Sequence, residues 1–361
     1  MNLEAAELIA ERPDERLDTS RLGPYLRAHL SGAEGALTVA QFHGGKANLT
    51  YLLRFGGREF VLRRPPLGPI PPGAHDMRRE HRVLSVLYQR FPLAPQSLLL
   101  CEDEGIIGAV FIVEERRRGF VIRDDIPSEF AGHPELNRRI GLALVDALAD
   151  LHLVDAAAIG LDGLGRVEGY LERQLSGWTR RWDASLGGPE EESSRRRMAP
   201  VLDWLARNLP KERALNGQVG ALLHNDFRLD NCLLDTADPA RITAVLDWDM
   251  CTQGDPLADL GYVLNYWVEP GDDPAWRAIA SMPTWHKGFP SRAEAIERYA
   301  ARTSSDVDDI LWYQIFAAFK LAVIIQQIYI RYVRGQTQDA RFATYWRRVL
   351  GLADKARVLI G

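Results

Sequence analysis

Three side chains in this sequence could share one chemistry: Asp226, Asn231 and Asp247. The first two lie in His224-Asn225-Asp226-Phe227-Arg228-Leu229-Asp230-Asn231. The third follows an apolar run and a turn, in Leu246-Asp247-Trp248-Asp249. Phosphoryl transfer asks for a carboxylate that orients an attacking hydroxyl and accepts its proton, and for oxygen ligands to the magnesium that bridges the phosphates. These three residues supply that set. Asp and Asn are also favoured turn formers, which would explain any one of them alone; the ordered set argues for the chemistry. Asp226 falls in a loop between apolar runs. Asn231 and Asp247 bracket an expected hairpin, which brings its two ends together.

The elements around them read as two lobes. After an amphipathic helix near Asp18 to Leu30, apolar residues alternate from Leu37 to Arg64, with Tyr51, Leu53 and Phe55, then Phe60 and Leu62, flanking the turn Gly56-Gly57. That alternation predicts a hairpin, preceded by a glycine-bearing loop at Gly44-Gly45. Asp76 is a plausible N-cap for a helix running to Phe91, and strand-like runs follow at Ser97 to Cys101 and Gly108 to Val113. Beyond Glu115 the periodicity becomes helical: Pro134 to Ala158, Val167 to Trp182, Arg195 to Asn208, Arg292 to Thr303, Asp308 to Gly335 and Ala340 to Ile360. The island Ala221 to Asp249 interrupts it. The expected fold is α+β, a bilobal protein-kinase-like architecture. A β-rich nucleotide-binding lobe would span residues 1–114 and a mainly helical catalytic and acceptor lobe 115–361, with a hinge near 114–119.

HNDFRLDN followed by LDWD resembles the catalytic and metal-binding segments of the aminoglycoside phosphotransferase and choline kinase superfamily. The resemblance implies that Asp226 is the catalytic aspartate, that Asn231 and Asp247 are magnesium ligands, and that His224 holds the loop. Gly254-Asp255-Pro256-Leu257-Ala258-Asp259-Leu260-Gly261, Gly288-Phe289-Pro290 and Ile325 to Arg331 are similar to a narrower branch, related to the kinase domain of certain acyl-CoA dehydrogenases. Segments from about Phe42 to Gly335 match it. Gly44-Gly45-Lys46-Ala47-Asn48 would let backbone N–H groups approach phosphate oxygens, although Ala47 stands where the family usually has serine. A kinase-like fold needs a cation on the third strand, paired with a helix glutamate. Arg63 and Glu80 fit those places, with arginine replacing the usual lysine and able to fork onto two phosphate oxygens. Arg228 is positioned like the lysine that neutralises the transferring phosphoryl group in protein kinases. Backbone groups near Glu114 to Arg116 should hold the adenine. ATP and Mg2+ are therefore the expected cofactors.

Composition narrows the class further. Of 361 residues, 46% are hydrophobic and 26% charged, enough for a sizeable core, and the net charge of −5 gives no basic field for nucleic acid. The acidic start MNLEAAELIAERPDERLD lacks the pattern of a secretory signal, so an intracellular, cytoplasmic chain is expected. Lys320, Gln326 and Gln327 interrupt the longest apolar run, which reads as a buried helix rather than a membrane span. Cys101, Cys232 and Cys251 have neither a disulfide pattern nor metal-ligand spacing. From Tyr266 to Gly361 there are 10 Asp plus Glu against 13 Lys plus Arg, a mildly basic balance unsuited to a polycationic acceptor. Lys320, Gln327, Arg331 and Arg334 share one helix face and could receive an anionic acceptor, such as a hydroxy acid or a coenzyme A thioester; a simple surface stripe with Lys320 snorkelling is the other reading. The expected function is transfer of the γ-phosphoryl group of MgATP to a small-molecule hydroxyl. The alternatives are an aminoglycoside phosphotransferase and a catalytically silent nucleotide-binding scaffold. The sequence leaves the oligomeric state open.

Overall fold

The computed structural model describes residues 7–43, 48–68, 75–128, 130–211, 214–215, 218–277, 279 and 282–361. The chain divides into two compact units, one comprising Met1–Val121, Ala156–Leu161 and Asn231–Cys251, the other the remainder. The expected α+β, kinase-like architecture is the one observed.

The first unit is built on a six-stranded antiparallel sheet in the order β1-β2-β3-β4-β6-β5. Its strands are β1 (Leu8–Ile9), β2 (Leu37–Phe42), β3 (Leu49–Phe55), β4 (Arg58–Arg64), β5 (Ser97–Cys101) and β6 (Phe111–Glu115). β3 and β4 form the expected hairpin, with Tyr51 opposite Leu62 and Leu53 opposite Phe60; Gly56 takes the left-handed backbone that the tight turn requires. Because side chains alternate faces along a strand, Tyr51, Leu53, Leu62 and Val113 pack with Leu22 and Leu26 of α1 (Thr19–His29). Arg63, Val61, Ile112 and Glu114 share the other face, since Arg63 pairs with Ile112 and Val61 with Glu114.

Helix α2 (Met77–Leu84) is capped by Asp76, whose carboxylate accepts from the backbone N–H groups of Arg78 and Arg79. It ends earlier than its periodicity predicted and gives way to a 3-10 turn at Leu87–Gln89. β6 begins at Phe111 rather than at Gly108, where a positive φ makes a turn. β1 carries no alternation that its two residues could show, and sequence reading missed it.

The second unit carries β7 (Ala214–Leu215) paired with β8 (Gln218–Val219), and β9 (Ala221–Leu223). β10 (Cys232–Leu234) and β11 (Ile242–Val245) are a hairpin that belongs to the sheet unit, although the sequence placed these residues in the helical lobe. Backbone bonds explain the attachment: Val245 N–H donates to Leu93 O, and Leu234 and Phe120 exchange a pair of bonds. β12 (Thr252–Gly254) returns to pair with β9.

The helices of the second unit are α3 (Pro134–His152), α4 (Tyr170–Ala184), α5 (Glu191–Arg207), α6 (Leu257–Tyr266), α7 (Pro274–Arg277), α8 (Arg292–Thr303), α9 (Ile310–Val333) and α10 (Tyr345–Ile360). α9 is the apolar run noted above; it packs against α4, α5, α6 and α10, and most of it is buried inside the fold, as a core helix is. The close approach of α6 to α9 depends on Gly261, whose missing Cβ would lie 2.7 Å from the Tyr313 backbone. α8 starts with a complete capping box between Ser291 and Glu294.

Candidate active site

In the sheet unit, four charged side chains meet on one face of the sheet. The Arg63 guanidinium lies 3.0 Å from Glu80 of α2, 2.8 Å from Asp247 and 3.9 Å from Glu114 of β6. All but Asp247 are nearly excluded from solvent. Arg63 thus contacts three carboxylates at once, and their crowding at low dielectric disfavours ionisation of all three together. Burial opposes the charge on Arg63, but the three carboxylates outweigh it and hold the guanidinium protonated. Burial pushes Glu80 up to about 8, the shared Arg63 only partly offsetting it and the other carboxylates adding to it. Glu114 is raised to about 7 for the same reasons.

Asp247 reaches this cluster through a backbone that few non-glycine residues adopt, with φ at 68°. Its neighbour Trp248 is fully buried, donates to Val245 O and stacks edge-on against Phe91. The left-handed turn thus seats the indole in the core and turns the adjacent carboxylate toward Arg63. Across the hairpin, the Asn231 carbonyl accepts from the N–H of Leu246, so Asn231 and Asp247 sit at the same end of β10 and β11. Nearby, His75 Nδ1 donates to Asn48 Oδ1 at 2.8 Å and lies 3.8 Å from Asp249. Arg116 stacks over the Phe42 ring at 5.0 Å. Gly44 and Gly45, with Lys46 and Ala47, lie outside the described residues.

The loop bearing Asp226 lies in the second unit and is pinned from α6. Asp259 accepts from the backbone N–H groups of His224 at 2.6 Å and Asn225 at 2.8 Å, and His152 Nε2 approaches it at 3.4 Å. Burial alone would raise the Asp259 carboxyl; its bonds to His152 and the nearby His224 bring it below the ordinary value instead. Asn225 is left-handed, with φ at 66°, and the Asp226 N–H donates to His224 Nδ1. Arg228 lies 3.3 Å from Asp226 and 3.3 Å from Asp230, with its guanidinium 5.2 Å over the Tyr266 ring. The Tyr266 hydroxyl in turn lies 3.2 Å from that of Tyr262.

The four residues expected to form an acceptor face separate along α9. Lys320 is buried against the Tyr262 and Trp178 rings, Gln327 is half-buried, and Arg331 and Arg334 are exposed near the helix end. At a rise of about 1.5 Å per residue, Arg331 stands roughly 16 Å along the axis from Lys320. Sequence reasoning gave no role to Asp259, although it stands in the quoted GDPLADLG segment, nor to His152. It also assigned Glu114 a backbone role and did not foresee its carboxylate beside Arg63. The period-2 pattern of β6 held that signal, because Glu114 occupies a buried position next to the apolar run Phe111 to Val113, on the same face as Ile112.

Residues 38–300 match the model of the phosphotransferase enzyme family. The chain is 34% identical over 360 residues to acyl-CoA dehydrogenase family member 11 of Gallus gallus, covering 95% of this chain and 44% of that protein. The Homo sapiens protein of the same name is 34% identical over 344 residues, covering 92% of this chain and 42% of its own length. The chain thus spans less than half the length of these curated relatives. A crystal structure from Ralstonia eutropha, provisionally assigned as an aminoglycoside phosphotransferase, superposes with a TM-score of 0.79 at 31% identity, covering 95% of this chain and 98% of that one. A ternary complex of aminoglycoside phosphotransferase APH(4)-Ia with AMP-PNP and hygromycin B has a TM-score of 0.59 at 18% identity, covering 95% of this chain and 98% of its own, a likeness of fold.

Proposed function

The chain belongs to the phosphotransferase enzyme family and is a small-molecule kinase, and from that premise we propose that it transfers the γ-phosphoryl group of MgATP to a hydroxyl of an acyl metabolite, a hydroxy acid or a hydroxyacyl-CoA. The observation that carries the phosphotransfer reading is the contact of Arg63 with both Glu80 and Asp247. A strand cation locked to a helix glutamate is what a kinase uses to hold the α- and β-phosphates, and a carboxylate beside it is where the metal that accompanies them is held.

Magnesium suits the donors at the hairpin end. Asp247 and Asn231 offer hard oxygens, and Mg2+ is usually held by one or two carboxylates together with substrate phosphates rather than by a full protein cage. Among the described residues no group of three His, Cys, Asp or Glu could hold a metal ion. When bound, the ion supplies charge neutralisation across the phosphates. Arg63 steadies the nucleotide, and Asp226 orients the acceptor hydroxyl. As the acceptor oxygen bonds to the γ-phosphorus and the bond to the leaving ADP oxygen breaks, Asp226 takes the hydroxyl proton. Arg228 offsets the charge near Asp226. The acyl class of acceptor is supported by the names of the curated relatives and by the basic balance beyond Tyr266.

The test is ADP release by purified protein against hydroxy acids, hydroxyacyl-CoA thioesters, choline and aminoglycosides. Asp226→Ala should abolish turnover with every acceptor while nucleotide affinity stays near that of the wild type. Retained turnover, or loss of MgATP binding in a folded variant, would falsify the role of Asp226. Turnover with an aminoglycoside alone would replace the acyl acceptor by an antibiotic.

A further inference from the structure

Lys320 is a buried cation with no counter-ion among the described residues. It lies in the middle of α9, 8% exposed, with Nζ 4.9 Å from the Tyr262 ring centroid and 5.5 Å from that of Trp178. Among the described residues no carboxylate comes within ion-pair distance of Nζ, and none accepts a hydrogen bond from it. The same indole carries a second cation, Arg181, at 4.6 Å, and no described carboxylate pairs with that one either. The carboxylates that Lys320 senses are more distant and already engaged: Asp259 with the His224 loop, Asp226 with Arg228.

Burial lowers the lysine from its usual range, Asp259 and Asp226 opposing that effect and Arg181 reinforcing it. Aromatic faces attract a cation, but only partly replace lost hydration or a paired anion. A core helix position between two rings would be filled at less cost by Met or Leu. A cation retained there without an anion is one whose anion or dipole arrives with a ligand.

We propose that Lys320 is the specificity residue of the acceptor site, donating to an acyl oxygen of the acceptor between Trp178 and Tyr262. This rests on the kinase reading above, and it goes beyond it by assigning the recognised group. The acyl oxygen is a free carboxylate or a thioester carbonyl. The acceptor's hydroxyl goes to Asp226, and its acyl group to Lys320, within the same unit of the fold. An aminoglycoside brings ammonium groups to this place and is repelled by Lys320 and Arg181.

Lys320→Met keeps the length of the side chain and removes its charge, so the variant should fold and melt no lower than the wild type without ligand. ADP release would be followed for wild type and variant with a hydroxy acid, its CoA thioester and the diol that lacks the acyl oxygen. The expected result is a KM for the acyl acceptors raised at least tenfold, with kcat less affected and the KM values for MgATP and the diol as in the wild type. Loss confined to the hydroxy acid assigns the contact to a carboxylate, and loss confined to the thioester assigns it to the carbonyl. An equal loss with the diol, or unchanged KM values throughout, overturns the proposal. Should the wild type release no ADP with any acceptor, the kinase reading fails on its own. Binding then decides this one: thermal stabilisation by hydroxy acid or thioester in the wild type but not in Lys320→Met upholds it, and equal or absent shifts refute it.

Discussion

At the scale of single residues, the choice of arginine at position 63 has a structural reason. Its planar fork reaches carboxylates from α2, from β6 and from the turn after β11, whereas a lysine presents one compact charge. Three carboxylates around one guanidinium also make this cluster sensitive to pH. The Glu80 carboxyl rises from 4.5 when unfolded to about 8 in the fold. The folded protein then holds a proton that the unfolded chain releases, so this group's contribution is fully present below pH 4.5 and is lost as pH rises toward 8. Glu80→Gln cannot titrate. The melting temperature of nucleotide-free wild type should fall relative to Glu80→Gln across that interval; a constant gap would show that Glu80 is ionised throughout. Arg63 and Glu80 were legible from strand and helix position alone. Glu114 in the cluster was not, because its role depends on how two strands register.

Secondary-structure elements position these residues through a few close contacts. The GDPLADLG segment reads as a motif, but only the fold shows that it forms α6, that Asp259 from it holds the His224 and Asn225 amides, and that Gly261 lets α6 press on α9. Gly261→Ala places a methyl group against the Tyr313 backbone. Overpacking of this kind costs roughly 1–3 kcal/mol, so the variant should show a lower denaturation midpoint with little change in KM for nucleotide. An unchanged midpoint would mean that the two helices can separate freely. The β3–β4 hairpin and the longer helices were legible because alternation and helical periodicity run over many residues. β1, β9 and β12 were not, since two or three residues carry no period. Expected helix ends shifted where a 3-10 turn took over, as before α10, which is preceded by a 3-10 turn at Ala340–Thr344.

For the molecule as a whole, ligand binding and stability are coupled. MgATP at about a hundred times its Kd should add roughly 2.7 kcal/mol to the folded state. Thermal melting with and without MgATP measures this, and Asp247→Asn should reduce the shift when magnesium is included. No shift in the wild type would remove the nucleotide from the proposed function. A shift accompanied by no ADP release from any acceptor would favour the nucleotide-binding scaffold.

The order of Asp226, Asn231 and Asp247, the alternation of the sheet and the apolar α9 are properties of neighbouring residues, and the sequence by itself determined them. Periodicity gave the kinase-like layout, and the resemblance of HNDFRLDN and LDWD to known segments pointed to the phosphotransferase family. Tertiary structure alone decided that Asn231 and Asp247 pack with the sheet unit, that Glu114 joins Arg63, and that Lys320 is enclosed by Trp178 and Tyr262 while Arg331 and Arg334 stay exposed. The physical reason is that periodicity tells which face of a helix or strand a residue occupies. What covers that face depends on partners far away in the chain, and burial, pairing and charge state follow from the cover.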